Sequence, residues 1–128
     1  MCVSGIPVKE ENNAVQMVSA AIEIQAFMEK TARDKKEKGQ PFFEARIGMH
    51  TGPVVAGIVG IKKFAFDIWG DTVNTAARME QNGEERRVNV SESTYQLIKD
   101  KFECEHRGKV MVKHIGEIDM YFVKAIKN

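Results

Sequence analysis

Asn74 and Arg78 stand four residues apart in Asp71-Thr72-Val73-Asn74-Thr75-Ala76-Ala77-Arg78-Met79-Glu80-Gln81. On a helix that spacing puts an amide and a guanidinium on one face, and Gln81 extends the same face. Val73, Ala76 and Ala77 supply a small-residue packing side. Two polar groups aimed the same way can hold an anion between them. Arginine suits phosphate because its fork of donors matches two oxygens at once. Periodicity alone favours an ordinary solvated helix face. Upstream, Asp67 follows an aromatic at the end of the β-rich run Phe64-Ala65-Phe66-Asp67-Ile68-Trp69. A carboxylate placed there accepts hydrogen bonds and donates none.

These residues need a frame to hold them. Met1 to Ile6 reads as a short strand closed by Gly5 and Pro7. Asn13 to Lys38 has helical periodicity, with Met17, Ala21, Ile24 and Met28 as a core-facing stripe, and Gly39 and Pro41 stop it. Phe43 to His50 alternates as a strand. Thr51-Gly52-Pro53 and the run Val54 to Val59 suggest that it folds back as a hairpin. Lys62-Lys63 falls in a loop before the strand Phe64–Trp69, which closes at Gly70. Asp71 is placed to cap a helix from Thr72 to about Gln81, ended by Asn82-Gly83. A short strand at Val88–Val90 follows, then a helix capped by Ser91 and running to about Lys101. Closing strands are expected at Phe102–Val112 and Met120–Val123. Strands interleaved with helices predict an α/β sheet carrying helices.

Composition narrows the classes. The 128 residues suffice for one compact domain, and 43% hydrophobic with 29% charged residues is ordinary for a globular chain. A net charge of +1 gives no general attraction to nucleic acid, while leaving room for a local phosphate pocket. Cys2 and Cys104 match no metal spacing and read as two reduced thiols. His50 and His114 have no partners at zinc-ligand spacing. No apolar run approaches the ~20 residues that span a bilayer, and Met1-Cys2-Val3-Ser4-Gly5 lacks the features of a secretory leader. A cytoplasmic domain is expected, with membrane attachment only through domains outside this sequence.

The stretch Phe66 to Glu80, with the block Ala45-Arg46-Ile47-Gly48-Met49-His50-Thr51-Gly52-Pro53-Val54-Val55-Ala56-Gly57 ahead of it, resembles the catalytic domain of class III adenylate and guanylate cyclases. Val3-Ser4-Gly5-Ile6-Pro7, the Tyr95 helix, Val112-Lys113 and Tyr121-Phe122-Val123 fit the same pattern, so the likeness covers essentially the whole chain. It implies a ferredoxin-like α/β (α+β) fold acting as a head-to-tail dimer, a homodimer or a pair with a second cyclase domain. It also implies roles. Asn74 matches the asparagine that positions the ribose. Arg78 matches the arginine that stabilises charge on the α-phosphate. Asp67, with Ile68 beside it, falls where adenylate cyclases carry an acidic residue for the adenine amino group, whereas guanylate cyclases usually have a cysteine or another small residue. Arg46 matches an arginine that reaches the terminal phosphates. Lys113 matches a triphosphate-binding lysine, although Val112-Lys113-His114-Ile115-Gly116 departs from the family's usual Val-Lys-Gly-Lys-Gly.

In the family two aspartates hold two Mg2+ or Mn2+ ions, one on the first strand and one in a turn just before Val-Ser-Gly. Neither has a counterpart here, so an N-terminally incomplete domain is expected, with its metal ligands upstream and no activity as an isolated chain. Gly70-Asp71 looks like a metal-binding pair, but it sits at the helix-capping position. The reading is an adenylate cyclase domain using ATP. Two alternatives are a guanylate cyclase domain and a non-catalytic nucleotide-binding or dimerisation module.

Overall fold

In the computed structural model the described residues are 3–5, 12–53, 55–59, 65–69, 71–113 and 115–127, with only the backbone described for 55–59 and 65–69. Among the described residues the elements run in the order α1 (Asn13–Glu37), β1 (Ile47–Met49), β2 (Val55–Val59), β3 (Ala65–Trp69), α2 (Asp71–Gln81), β4 (Val88–Ser91), α3 (Glu92–Ile98), β5 (Phe102–Val112) and β6 (Gly116–Ile126). The main sheet has the order β1-β4-β6-β5. β1 lies parallel to β4, β4 antiparallel to β6, and β5 antiparallel to β6. β2 and β3 form a separate antiparallel pair. This is the expected mixed α+β architecture, with helices on a sheet.

Alternation along β4 separates two faces. Val88 and Val90 join Ala14, Val18 and Ala21 of α1, Ile98 of α3, and Tyr121 and Val123 of β6 in one core. Asn89, between them, turns the other way and meets Met79 of α2. Met79 packs there with Val112 and Met120 in a second, smaller core. The sheet is therefore covered on one side by α1 and α3 and on the other by α2.

The expected hairpin between Phe43–His50 and Val54–Val59 does not form. β1 pairs with β4 instead, and β2 with β3. The Thr51-Gly52-Pro53 segment is held elsewhere. Thr51 and Thr94 share a 2.8 Å hydroxyl hydrogen bond, Ser93 Oγ donates to the Thr51 carbonyl at 2.8 Å, and the Thr72 hydroxyl donates to the Pro53 carbonyl. Pro53 has no N–H with which to extend a ladder. β1 is also shorter than expected. The Ala45 carbonyl accepts from the Gln25 amide at 2.9 Å and from the Arg86 N–H at 2.9 Å, which takes it out of any strand pairing.

The predicted α1 stripe is corrected as well. Only Ala21 of Met17, Ala21, Ile24 and Met28 is fully buried, and Ile24 is 49% exposed. The face that packs carries Ala14, Val18, Ala21, Gln25 and Ala32. Small residues there let the helix lie close to the sheet, and Gln25 is buried because its amide bonds the Ala45 and Arg87 carbonyls. β6 exceeds the expected Met120–Val123 because it pairs with β5 from Val112↔Gly116 to Phe102↔Ile126. α3 stops at Ile98, where Lys101 N–H turns back to the Ile98 carbonyl. Ser91 precedes α3 as expected, but its hydroxyl bonds His50 and Ser93 and not the helix N–H groups. Asp71 is the first residue of α2 and not its flanking cap. Of the opening segment, residues 3–5 form no strand. Its other residues, the Lys62-Lys63 loop, Gly70 and His114 lie outside the described residues.

Candidate active site

α2 is built from strong helix formers in its second half, Ala76 to Gln81, with Asp71 in the first turn favouring the dipole. Its end is closed by the Asn82 side-chain amide on the Arg78 carbonyl at 2.9 Å and by Gly83 N–H on the Glu80 carbonyl at 3.1 Å. Met79 is fully buried. Anchoring that residue inward turns the Asn74–Arg78 face of the helix away from the sheet.

Two further features fix the helix. A Cβ on Gly48 would come within 1.9 Å of the Glu80 nitrogen, so β1 and the last turn of α2 touch backbone to backbone. Asn89, fully buried, donates to the Met79 carbonyl at 2.9 Å and accepts from Arg107 Nη1 at 3.1 Å. Arg107 Nη1 also reaches the Asn82 carbonyl at 2.8 Å, a cation at the helix C-terminus. The Arg107 and Arg87 guanidinium groups both lie against the Phe122 ring, at 4.3 and 3.9 Å from its centre. Sequence reasoning did not single out Asn89 or Arg107. An amide between two valines in Val88-Asn89-Val90 is the signal that could have found the first.

The exposed face of α2 opens on a cavity of about 680 Å³, lined by Asp71, Asn74, Thr75, Ala77, Arg78 and Gln81 of the helix and by Lys113 and Ile115 of the β5–β6 turn. That volume lies within the range of small-molecule sites. Arg78 Nη1 donates to Gln81 Oε1 at 2.6 Å. The fold thus brings Asn74, Arg78 and Lys113 to one cavity across some 40 residues of chain separation. Arg46 is not among its lining residues. Its Nε and Nη2 both donate to Glu80 Oε1, at 3.1 and 3.0 Å. Asp67 and Ile68 lie on β3, their backbones paired with Gly57 and Ala56, on the strand that leads into α2. Their side chains are outside the described residues.

At the other end of β1, His50 Nδ1 and Ser91 Oγ share a 2.6 Å hydrogen bond. Burial pushes the His50 imidazole below its usual pKa. On the α1/α3 side, Tyr121 stacks on Tyr95 with centroids 3.8 Å apart and donates to Glu92 at 2.5 Å. That bond, followed by one from Gln96, pulls the Glu92 carboxyl down, and the Tyr121 hydroxyl is raised above its ordinary range mainly by the same bond.

The cavity's charged side chains are Asp71, Arg78 and Lys113. With cations outnumbering the one carboxylate, this donor set fits an anion and does not fit a divalent metal. Among the described residues no group of three or more His, Cys, Asp or Glu could hold a metal ion.

The family model for the adenylate and guanylate cyclase catalytic domain matches residues 1–125. The chain belongs to this family. The cyclase domain is 37% identical over 124 residues to guanylate cyclase soluble subunit beta-2 of Rattus norvegicus, covering 96% of this chain and 18% of that one. It is 34% identical over 123 residues to an adenylate cyclase of Mycobacterium bovis, covering 96% and 27%. Among solved structures, it superposes on the adenylyl cyclase CyaB from P. aeruginosa with a TM-score of 0.87 at 27% identity, and on the guanylate cyclase domain of RhGC from Catenaria anguillulae in complex with GTP with a TM-score of 0.82 at 32% identity. Each match covers 96% of this chain and 65% of the other. The domain therefore spans well under a third of these two curated relatives and about two thirds of the structural neighbours. Adenylate and guanylate cyclases match at similar identity, so membership establishes a cyclase catalytic domain without separating the two bases. Among the described residues no helix is long and apolar enough to cross a membrane.

Proposed function

We propose that this domain contributes the phosphate- and ribose-binding half of an adenylate cyclase active site, which converts ATP to cyclic AMP and pyrophosphate. The observation that carries this reading is the convergence of Asn74, Arg78 and Lys113 on one cavity from two separate parts of the chain. Lys113 supports the triphosphate. Asn74 hydrogen-bonds the ribose and orients its 3′-hydroxyl. As that hydroxyl gives up its proton to solvent, its oxygen bonds to the α-phosphorus, the bond to the bridging oxygen breaks, and pyrophosphate leaves with the electron pair. Charge shifts across the phosphoryl oxygens in this step, and in this reading Arg78 stabilises it. Asp67 selects the base: a carboxylate accepts from the adenine amino group and repels the guanine carbonyl.

The metal chemistry typical of the family is not assigned to residues of this domain, because the cavity's donors suit an anion. A second cyclase domain, packed head to tail, would bring the carboxylates that hold Mg2+ or Mn2+. Arg46 is paired with Glu80 outside this cavity, so the reading gives it no part in this half of the site. The test is complementation. This chain is mixed with a cyclase domain that keeps its metal carboxylates but lacks the arginine equivalent to Arg78. ATP and Mn2+ are supplied, and cyclic AMP is measured. Turnover that appears only in the mixture and falls roughly 10²–10³-fold with Arg78→Ala supports the reading. Turnover unaffected by Arg78→Ala overturns it.

A further inference from the structure

We infer that Gln81 is a positioning residue for Arg78, holding its guanidinium at one orientation toward the cavity; this rests on the proposed role of Arg78. The two side chains sit three residues apart on the last turn of α2, and Arg78 Nη1 donates to Gln81 Oε1 at 2.6 Å. Both line the cavity shared with Asn74 and Lys113. A guanidinium only donates, so the oxygen of the Gln81 amide must face it and the NH2 group must face away. Glu80 and Glu84, the acids adjacent in sequence, do not take this place. Glu80 is engaged by Arg46, and no ion pair joins Arg78 to an acid among the described residues.

The choice of a neutral acceptor has a chemical consequence. A carboxylate here would form an ion pair and offset the charge that Arg78 must present to phosphate. Gln81 restrains the guanidinium while leaving its full positive charge available. The backbone beneath is restrained as well, since the Asn82 amide holds the Arg78 carbonyl at 2.9 Å. The donor is thus oriented before substrate arrives, which is the condition under which a fixed charge favours a transition state over a ground state.

The test is a double-mutant cycle, read by turnover in the complemented enzyme and by NMR on this chain alone. Gln81→Met keeps the length and removes the acceptor. It is expected to lower kcat about five- to tenfold with KM within about twofold, in line with one hydrogen bond. In an Arg78→Ala background the same change should cost nothing further. Gln81→Glu restores the acceptor but should remain below the parent, because it cancels charge. In 15N spectra of the isolated chain, the Arg78 guanidinium should rotate faster in Gln81→Met than in the parent. An equal loss from Gln81→Met with and without Arg78, or an unchanged guanidinium rotation rate, overturns the inference. If Arg78→Ala itself leaves turnover intact, the proposed site fails, and that result is separate from a failure of Gln81 alone.

Discussion

At the residue scale, two positions make separable predictions. Asp67→Cys, in the complemented enzyme, should lower the ratio of kcat/KM for ATP over GTP by roughly tenfold, since a base hydrogen bond left unmade costs on the order of 1–3 kcal/mol. An unchanged ratio would reduce Asp67 to a residue of the β3 strand. His50 predicts a pH dependence. Its pKa in the folded chain is lowered by burial, so the unfolded chain takes up the proton first as pH falls. The stability His50 contributes is present above about pH 6.5 and is lost as pH drops through that value toward the lower folded one. Glu92, also lowered, loses its contribution from about pH 4.5 downward, so the two windows are distinct. Thermal melts of the parent should decline between pH 7 and 5.5, and His50→Gln should flatten that decline. A parent curve flat over the range would contradict the assignment.

At the element scale, α2 is the part on which the site depends, and its seat is a contact between backbones. Gly48 is the residue that allows it, because any Cβ there would collide with the last turn at Glu80. Gly48→Ala should destabilise the fold by roughly 1–3 kcal/mol, as overpacking does. It should also weaken turnover in the complemented enzyme beyond what the loss of folded protein explains, because the helix carrying Arg78 must move. Urea denaturation together with turnover per folded molecule would check this. An unchanged midpoint would mean that β1, a three-residue strand, yields in place of the helix. The helix itself was legible in the sequence through its formers and its Asn82-Gly83 end. Its seat was not, because the brace from Asn89 and Arg107 joins residues that are distant in sequence.

At the scale of the whole molecule, a site with a cationic half predicts dependence on a partner. The 128-residue chain alone, given ATP with Mg2+ or Mn2+, should produce no appreciable cyclic AMP. The carboxylate-bearing partner described above should restore it. If the partner instead retains its arginine but lacks its carboxylates, no recovery is expected, since both members would then lack the same half. Robust production by the pure chain would show that the chain carries both halves of the site and would overturn this prediction.

The sequence by itself determined the family, through the two blocks around Gly48 and Asn74–Arg78, and it determined most helices and strands through periodicity and turn residues. It also singled out Asn74, Arg78 and Lys113 by their resemblance. It did not determine which strands pair. The hairpin expected at Thr51-Gly52-Pro53 fails because the loop's polar groups are satisfied by α3 and α2, and a local pattern carries no information about such distant partners. Nor did it determine the buried face of α1, where close approach to the sheet selected alanines and a hydrogen-bonded Gln25 over the larger methionines. The meeting of Lys113 with Arg78 was decided only in three dimensions, because a β-turn and a helix face form a common cavity only once the sheet has set the distance between them.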